Sequence, residues 1–300
     1  MLRLIGRRIR FISITALVLI VALVALAILG LESGIEFSSG SQLTLSFKQS
    51  VNINELRDEL GGLGHDNAII QETGEGDFII HTEQLTSEDK NVLKDGLIAT
   101  FGDVEELGFE NVDPVIASQT TRTAAIAVAV AAVGIMLYIT WAFRRMPKPF
   151  HYGSCAIIAL LHDAIISLSI FSILGSLLDW EINLMFVIGI LAVIGYSVNN
   201  TVVIFDRIRE NLLAESKPNF EQVVNKSLAE SFNRSLNTSI TSFIMMLALL
   251  LFVGATIQNF AIVMITGIIA GTFSSLFIAP SILVIWENNE WPKLLPIRKT

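Results

Sequence analysis

The sequence predicts a membrane-embedded, all-α bundle of six transmembrane helices with a small α+β domain inserted on its outer side. Three observations carry this. Of 300 residues, 52% are apolar and only 16% charged, whereas roughly a quarter of a soluble domain is charged. The apolar residues gather in six runs, at about 11–31, 121–143, 151–175, 182–203, 236–255 and 259–286, each near the roughly 20 residues that cross a hydrocarbon core as helix. The net charge of −8 hides a division: residues 32–118 hold 18 Asp/Glu against 4 Lys/Arg, and the rest of the chain holds 10 against 16.

Each run reads as a helix because only helices satisfy their own backbone polar groups in lipid without closing a barrel. The expected divisions are a tail and first span (1–31), an acidic extracytoplasmic insert (32–118), a five-span bundle (119–290) with an amphipathic cytoplasmic segment (204–235), and a tail (291–300). Lys and Arg in short flanks are retained inside, and the flanks agree. Arg3, Arg7, Arg8 and Arg10 precede span one; Arg144, Arg145 and Lys148 join spans two and three; Arg207, Arg209, Lys217 and Lys226 lie between four and five; Lys293, Arg298 and Lys299 follow six. Both termini are therefore expected on the cytoplasmic side of a cell membrane and the insert outside. The basic start followed by Ala25-Leu26-Ala27 also admits a cleaved signal peptide, but the apolar run reaches Leu31, past the usual ~7–15 residues of a signal core. A retained anchor is expected.

The insert has its own pattern. Residues 41–47 alternate like a half-buried strand, 54–61 read as a helix, 67–71 and 77–81 as two strands around Thr73–Gly76, 86–101 as a helix opened by Thr86 or Ser87, and 104–112 as a last strand. The order β-α-β-β-α-β suggests a ferredoxin-like sandwich. His65 and His81 stand apart from any second ligand at metal spacing and read as surface or packing residues. The sole cysteine, Cys155, has no disulfide partner and reads as a small buried hydrophobe.

Charged side chains deep in a span cost roughly 2.5–3.5 kcal/mol on insertion scales and mark pathways or ion pairs. Asp163, preceded by His162, is the one carboxylate near the middle of a span. Span four carries Gly189, Gly195, Ser197, Asn199 and Asn200; span five opens with Arg234, Asn237, Thr238 and Thr241 at helical spacing, so these four share one face. Such a stripe is either polar glue between helices with a snorkelling arginine or, with Asp163, part of a proton relay. Gly189 and Gly195 in span four, and Gly267 and Gly271, four apart in span six, are the expected helix-packing glycines that permit close helix approach. The segment 204–235 can lie on the membrane surface or join spans four and five as a bent helical pair. No metal-ligand cluster, Gly-x-Ser-x-Gly, His-Glu-x-x-His or phosphate loop is present, so neither cofactor nor enzyme chemistry is expected, and the acidic balance excludes a generally basic nucleic-acid binder.

Together, Leu161-His-Asp163, Ile194-Gly-Tyr-Ser-Val-Asn-Asn-Thr201, Phe205-Asp-Arg-Ile-Arg-Glu-Asn211, Arg234-Ser-Leu-Asn-Thr-Ser239 and Gly271-Thr-Phe-Ser-Ser275 resemble the SecF family of protein-export membrane proteins, half of an RND-type transporter. The stretch Gly34-Ile-Glu-Phe-Ser-Ser-Gly40 resembles the family's Gly-x-Asp-Phe-x-Gly-Gly, with Gly34, Glu36, Phe37 and Gly40 at the matching positions and Ser39 in place of a glycine. The resemblance implies a SecD partner that completes a twelve-span unit, action beside the SecYEG channel on exported unfolded polypeptide, and use of the proton motive force. It also exposes a departure: the family's membrane aspartate is here Asn200, which does not titrate. Three readings stay open. Asp163 takes over, facing Arg234; SecD's own carboxylate carries the proton and this chain is a scaffold; or another cation replaces the proton. An RND-type drug or lipid exporter shares the span plan but usually has larger outer domains.

Overall fold

The computed structural model describes residues 5–73, 76–214, 219–252 and 255–294. Several residues used above lie outside these, namely Arg3, Lys217, Arg298, Lys299 and the middle of the Thr73–Gly76 turn; the side chain of Lys293 is likewise not described. Among the described residues, six helical segments are long and apolar enough to cross a membrane. They are α1 (Arg8–Leu29), α5 (Pro114–Ala142), α6 (Pro149–Leu178), α7 (Leu184–Ala214), α8 (Phe220–Phe252), and a last span built of α9 (Ala255–Phe273), a π-helical turn (Ser274–Ile278) and α10 (Ala279–Glu287). Between α1 and α5 run α2 (Ile35–Ser38), β1 (Gly40–Phe47), α3 (Ile53–Gly62), β2 (Ile69–Glu72), β3 (Phe78–Thr82), α4 (Ser87–Phe101) and β4 (Val104–Val112); a short α11 (Trp291–Leu294) follows the last span.

The elements between α1 and α5 form one antiparallel sheet in the order β2-β3-β1-β4, with a register shift between Thr44 and Leu45. Alternate residues point one way, so Leu43 and Leu45 of β1, Ile70 of β2, and Phe78 and Ile80 of β3 meet Leu56 and Leu60 of α3 and Leu93 and Leu97 of α4 in a core of their own. Capping fixes the helix starts. Thr86 accepts from Asp89 N while Asp89 accepts from Thr86 N, a reciprocal box that opens α4. Asp113 caps α5 ahead of Pro114, which is why that helix begins well before its apolar run.

In the membrane part the shares of burial differ sharply. The last span is mostly enclosed, α6 and α7 are half enclosed, and α1 and α5 expose nearly all of their apolar surface, as helices facing lipid do. Small residues seat the last span against α7. A Cβ on Gly267 would stand 2.1 Å from Val193, one on Gly271 3.1 Å from Ser197, and one on Gly189 3.1 Å from Val263. Gly195 is different: it is exposed, with nothing within 4 Å of a Cβ, so it packs no helix of this chain. Two serines tie α6 to α1, Ser169 donating to Ala22 O at 2.9 Å and Ser172 donating to Gly30 O.

The segment 204–235 does not stand alone. Its described residues are the extensions of α7 and α8 beyond the apolar runs, zipped together by Asn211 donating to Ser227 Oγ (2.9 Å) and Glu230 (2.8 Å) and by Arg207 on Glu230 (2.7 Å). The basic flanks gather at that same end, where Arg8 pairs with Glu290 (2.7 Å) and Glu221 (3.1 Å) and Lys148 with Glu287 (3.3 Å).

Candidate functional site: a carboxylate network and a polar outer face

Asp163 sits at the middle of α6, fully enclosed. Both of its oxygens are used. Oδ1 lies 2.8 Å from His162 Nδ1; Oδ2 accepts from Ser274 Oγ at 2.7 Å and from Ser197 Oγ. Three spans therefore converge on one carboxylate: α6 supplies it, α7 supplies Ser197, and the π-helical turn of the last span supplies Ser274. A π turn inserts one extra residue into the helical repeat and so re-aims side chains; here Ser274 meets Asp163 while Ser275 donates to Gly271 O. Gly271 is what allows the approach, since a side chain there would meet Ser197.

A second network lies beside the first. Asn200 is buried and its amide stands 3.4 Å from Ser239 Oγ of α8, which also accepts from Thr272 Oγ1 at 2.7 Å. Thr201 donates to Ser197 O at 3.2 Å, linking the two along α7. Buried polar groups of this kind are stabilising only when each finds a partner, and these do so across four spans.

The structure parts two residues that the first reading of position 200 set face to face. The buried side of α8 is Ser231, Ser235 and Ser239, whereas Arg234, Asn237, Thr238 and Thr241 all lie on its exposed face. Arg234 does not meet Asp163 within this chain. The stripe does keep to one face, as its spacing requires, with Thr238 and Thr241 turned back on the carbonyls of Arg234 and Asn237 at 3.0 and 2.7 Å. On α7, Asn199 and Gly195 are likewise exposed, four residues apart and so on one side.

The first-span motif has a structural reason. Gly34 N donates to Ile182 O at 2.9 Å, and a Cβ there would lie 2.9 Å from that same oxygen. Gly40 has φ +131° and a Cβ would lie 2.5 Å from Thr82 O, so both glycines are fixed by backbone contact. Glu36 and Phe37 are partly buried in the single turn of α2 between them. Of the two outer histidines, His65 makes no contact that bears on the site, but His81 is buried and pairs with Glu181 in the loop joining α6 to α7. Cys155 is buried among apolar neighbours. No group of three or more metal-ligating side chains occurs among the described residues.

Sequence reasoning named Asp163 and the polar stripe but missed Ser197, Ser274 and His162 as partners of the carboxylate. A hydroxyl in a spanning helix usually bonds its own turn, so the only available signal was that Ser197 and Ser274 each fall inside the motifs quoted above.

The profile described as "Protein export membrane protein SecD/SecF, C-terminal" matches residues 92–289. A protein translocase subunit SecF of Thermobaculum terrenum is 38% identical over 302 residues, covering 96% of this chain and 94% of its own length. Another, from Anaerolinea thermophila, is 38% identical over 295 residues, covering 97% and 96%. The crystal structure of SecDF, a translocon-associated membrane protein from Thermus thermophilus, superposes with a TM-score of 0.85 at 30% identity over 95% of this chain and 38% of that one. A super-membrane-facing form of SecDF superposes with a TM-score of 0.69 at 29% identity, over 97% and 39%. This chain thus spans about two-fifths of those SecDF chains and nearly all of the SecF subunits, and it belongs to the SecD/SecF family of protein-export membrane proteins.

Proposed function

We propose that this protein is a SecF-type subunit of the protein-export machinery, a non-enzymatic six-span half that pairs with a SecD-type half in the cytoplasmic membrane and helps draw unfolded polypeptide outward from a SecYEG-type channel. The carrying observation is the outward polar face of α7 and α8. Asn199, Asn237, Thr238 and Thr241 lie within the apolar runs and are exposed in this chain alone, with Arg234 exposed just before them, and polar groups left against lipid are unfavourable, so a partner half is what gives this face its complement. Near-full-length similarity to proteins named translocase subunit SecF supports the same assignment.

Among the three readings of position 200, this geometry favours the scaffold. Asn200 is buried and hydrogen-bonded to Ser239 at 3.4 Å, Asp163 is held by partners from three spans, and the one cation of the stripe points to where a partner would lie. The proton is then carried by the partner's carboxylate, with Arg234 presented to it from this side. A charge crossing 100 mV releases roughly 2.3 kcal/mol, enough to bias a two-state movement. The basic ends, gathered at one end of the bundle, support cytoplasmic termini, and the sheet order 2-3-1-4 with βαββαβ connectivity supports a ferredoxin-like outer domain at 32–118.

Two measurements test this. Tagged protein purified from native membranes is expected to bring down a SecD-type partner, and export of a secretory precursor by membranes lacking the chain is expected to lose its proton-gradient-dependent part. Unchanged export in depleted membranes overturns the assignment.

A further inference from the structure

The outer domain meets the membrane bundle at two places of different character. On one side the attachment is covalent and apolar: β4 runs through Asp113 into α5, and α2 packs on the start of that helix, with Phe37 beside Pro114 and Ala117. Positive φ values at Gly30, Ser39 and Gly40 bracket α2. On the other side the chain enters from α1 through residues 30–34, and there the attachment is polar and centres on one short loop, residues 179–183, between α6 and α7.

Four contacts end on that loop. Ile182 N donates to Glu32 O at 2.7 Å while Gly34 N donates to Ile182 O at 2.9 Å, a lone parallel bridge. His81 of β3 pairs with Glu181, Arg57 of α3 reaches Asp179 at 3.6 Å, and Asn259 of the last span holds Glu181 O at 2.9 Å. The pair at the centre is incompletely satisfied: His81 Nε2 and Glu181 Oε1 are both buried without a hydrogen-bond partner. Such groups raise the free energy of the closed contact, so opening it costs less than breaking a fully paired contact. No residue of the bundle enters the core beneath the sheet, and a cleft of about 290 Å³ separates Ile69 of β2 from Phe171, Gly175 and Trp180 below it. Releasing the loop therefore disrupts neither core.

We infer that loop 179–183 is a releasable clasp, with the outer domain hinged along α2 and the β4–α5 junction and fastened by His81–Glu181. The loop directly joins the span bearing Asp163 to the span bearing Ser197 and Asn200. A shift of α6 against α7 is thereby delivered to the outer sheet, and an outer domain pulled by emerging chain is felt in the bundle. This rests on the export reading above.

The test uses the full chain with its partner in membranes. In a Cys155→Ala background, His81→Cys with Glu181→Cys is bridged by a short bis-methanethiosulfonate, which reductant removes. Efficient bridging is expected, with proton-dependent export falling to the level of membranes lacking the chain and recovering on reduction. Bridged protein that exports as well as unbridged overturns the clasp, and so does failure to bridge. Failure of the export reading is seen separately, as depleted membranes that export normally. A second readout does not depend on export: Glu181→Ala is expected to speed maleimide labelling of Ile69→Cys in the cleft several-fold, and an unchanged rate overturns the proposal.

Discussion

Ser274 of the π-helical turn donates to Asp163 Oδ2 across 2.7 Å, so the last span and the third are joined at the middle of α6 by a buried hydrogen bond. Ser197 donates to the same oxygen, which makes Asp163 a hub. Removing the hub strands its partners, and each buried polar group left unpaired costs about 1–3 kcal/mol. Asp163→Ala is expected to lower the melting temperature of the purified protein clearly, Asp163→Asn by less, because the amide keeps an acceptor oxygen and the shape. Proton-dependent export by Asp163→Asn should stay near wild type once protein amounts are matched. Loss of export with normal folding would instead make Asp163 the carrier.

Arg234 supports the opposite pattern. It is exposed in this chain, so Arg234→Gln should leave the melting temperature of the isolated subunit unchanged while abolishing the proton-gradient-dependent part of export. Comparing the two variants on both axes separates a hub from an interface charge.

Asn200→Asp tests the scaffold reading from the side of gain. The position is buried beside Ser239, so a restored carboxylate would be placed in the second polar network without its own cation. No increase in proton-dependent export is expected, and some loss of stability is, since burying a charge without a partner is unfavourable. A clear gain in export would show that this half can carry the proton after all.

Much of this architecture was readable in the residues, and the parts that were not share a physical cause. The Thr86 box is local, so the sequence places this helix to within a residue and leaves only Thr86 or Ser87 as its cap, with Thr86 the one observed, and apolar run length finds every span. The start of α5 was set seven residues late because Asp113 and Pro114 begin the helix in water, where hydropathy gives no signal. The stripe Arg234, Asn237, Thr238 was put on one face correctly, since helical spacing decides that; what the face looks at is a matter of packing, and Arg234 looks away from Asp163. Composition groups Gly195 with the packing glycines, yet of those four Gly189, Gly267 and Gly271 meet a neighbouring helix and Gly195 does not. The packing reading of His81 agrees with its burial, but its partner Glu181 is a hundred residues further on and only the fold brings the two together.

The glycines give a prediction of their own. Gly267→Ala puts a methyl 2.1 Å from Val193, and overpacking a tight helix contact typically costs about 1–3 kcal/mol. Gly195→Ala meets nothing in this chain, so it should be neutral in the isolated subunit. Thermal unfolding of the two variants should therefore differ by several degrees. If Gly195→Ala then weakens recovery of the partner half in pull-downs, the exposed side of α7 lies within that contact.

The sheet-containing segment between α1 and α5 carries a pH dependence whose sign follows from Glu106. Hydrogen bonds from Lys90 (2.8 Å) and Lys94 (3.0 Å) hold its carboxyl below the ordinary range. A group with a depressed pKa in the folded state adds stability above its unfolded value and loses it as pH falls through the folded one. The pairs are partly exposed, so the contribution is at most about 1 kcal/mol. Unfolding of the outer domain, followed by protease accessibility of the full chain, should become easier below about pH 4.3, the unperturbed value for Glu. Glu106→Gln should be less stable than wild type at pH 7, with the two proteins converging in acid. A difference that persists unchanged at pH 3 would mean that Glu106 acts through packing rather than through its charge.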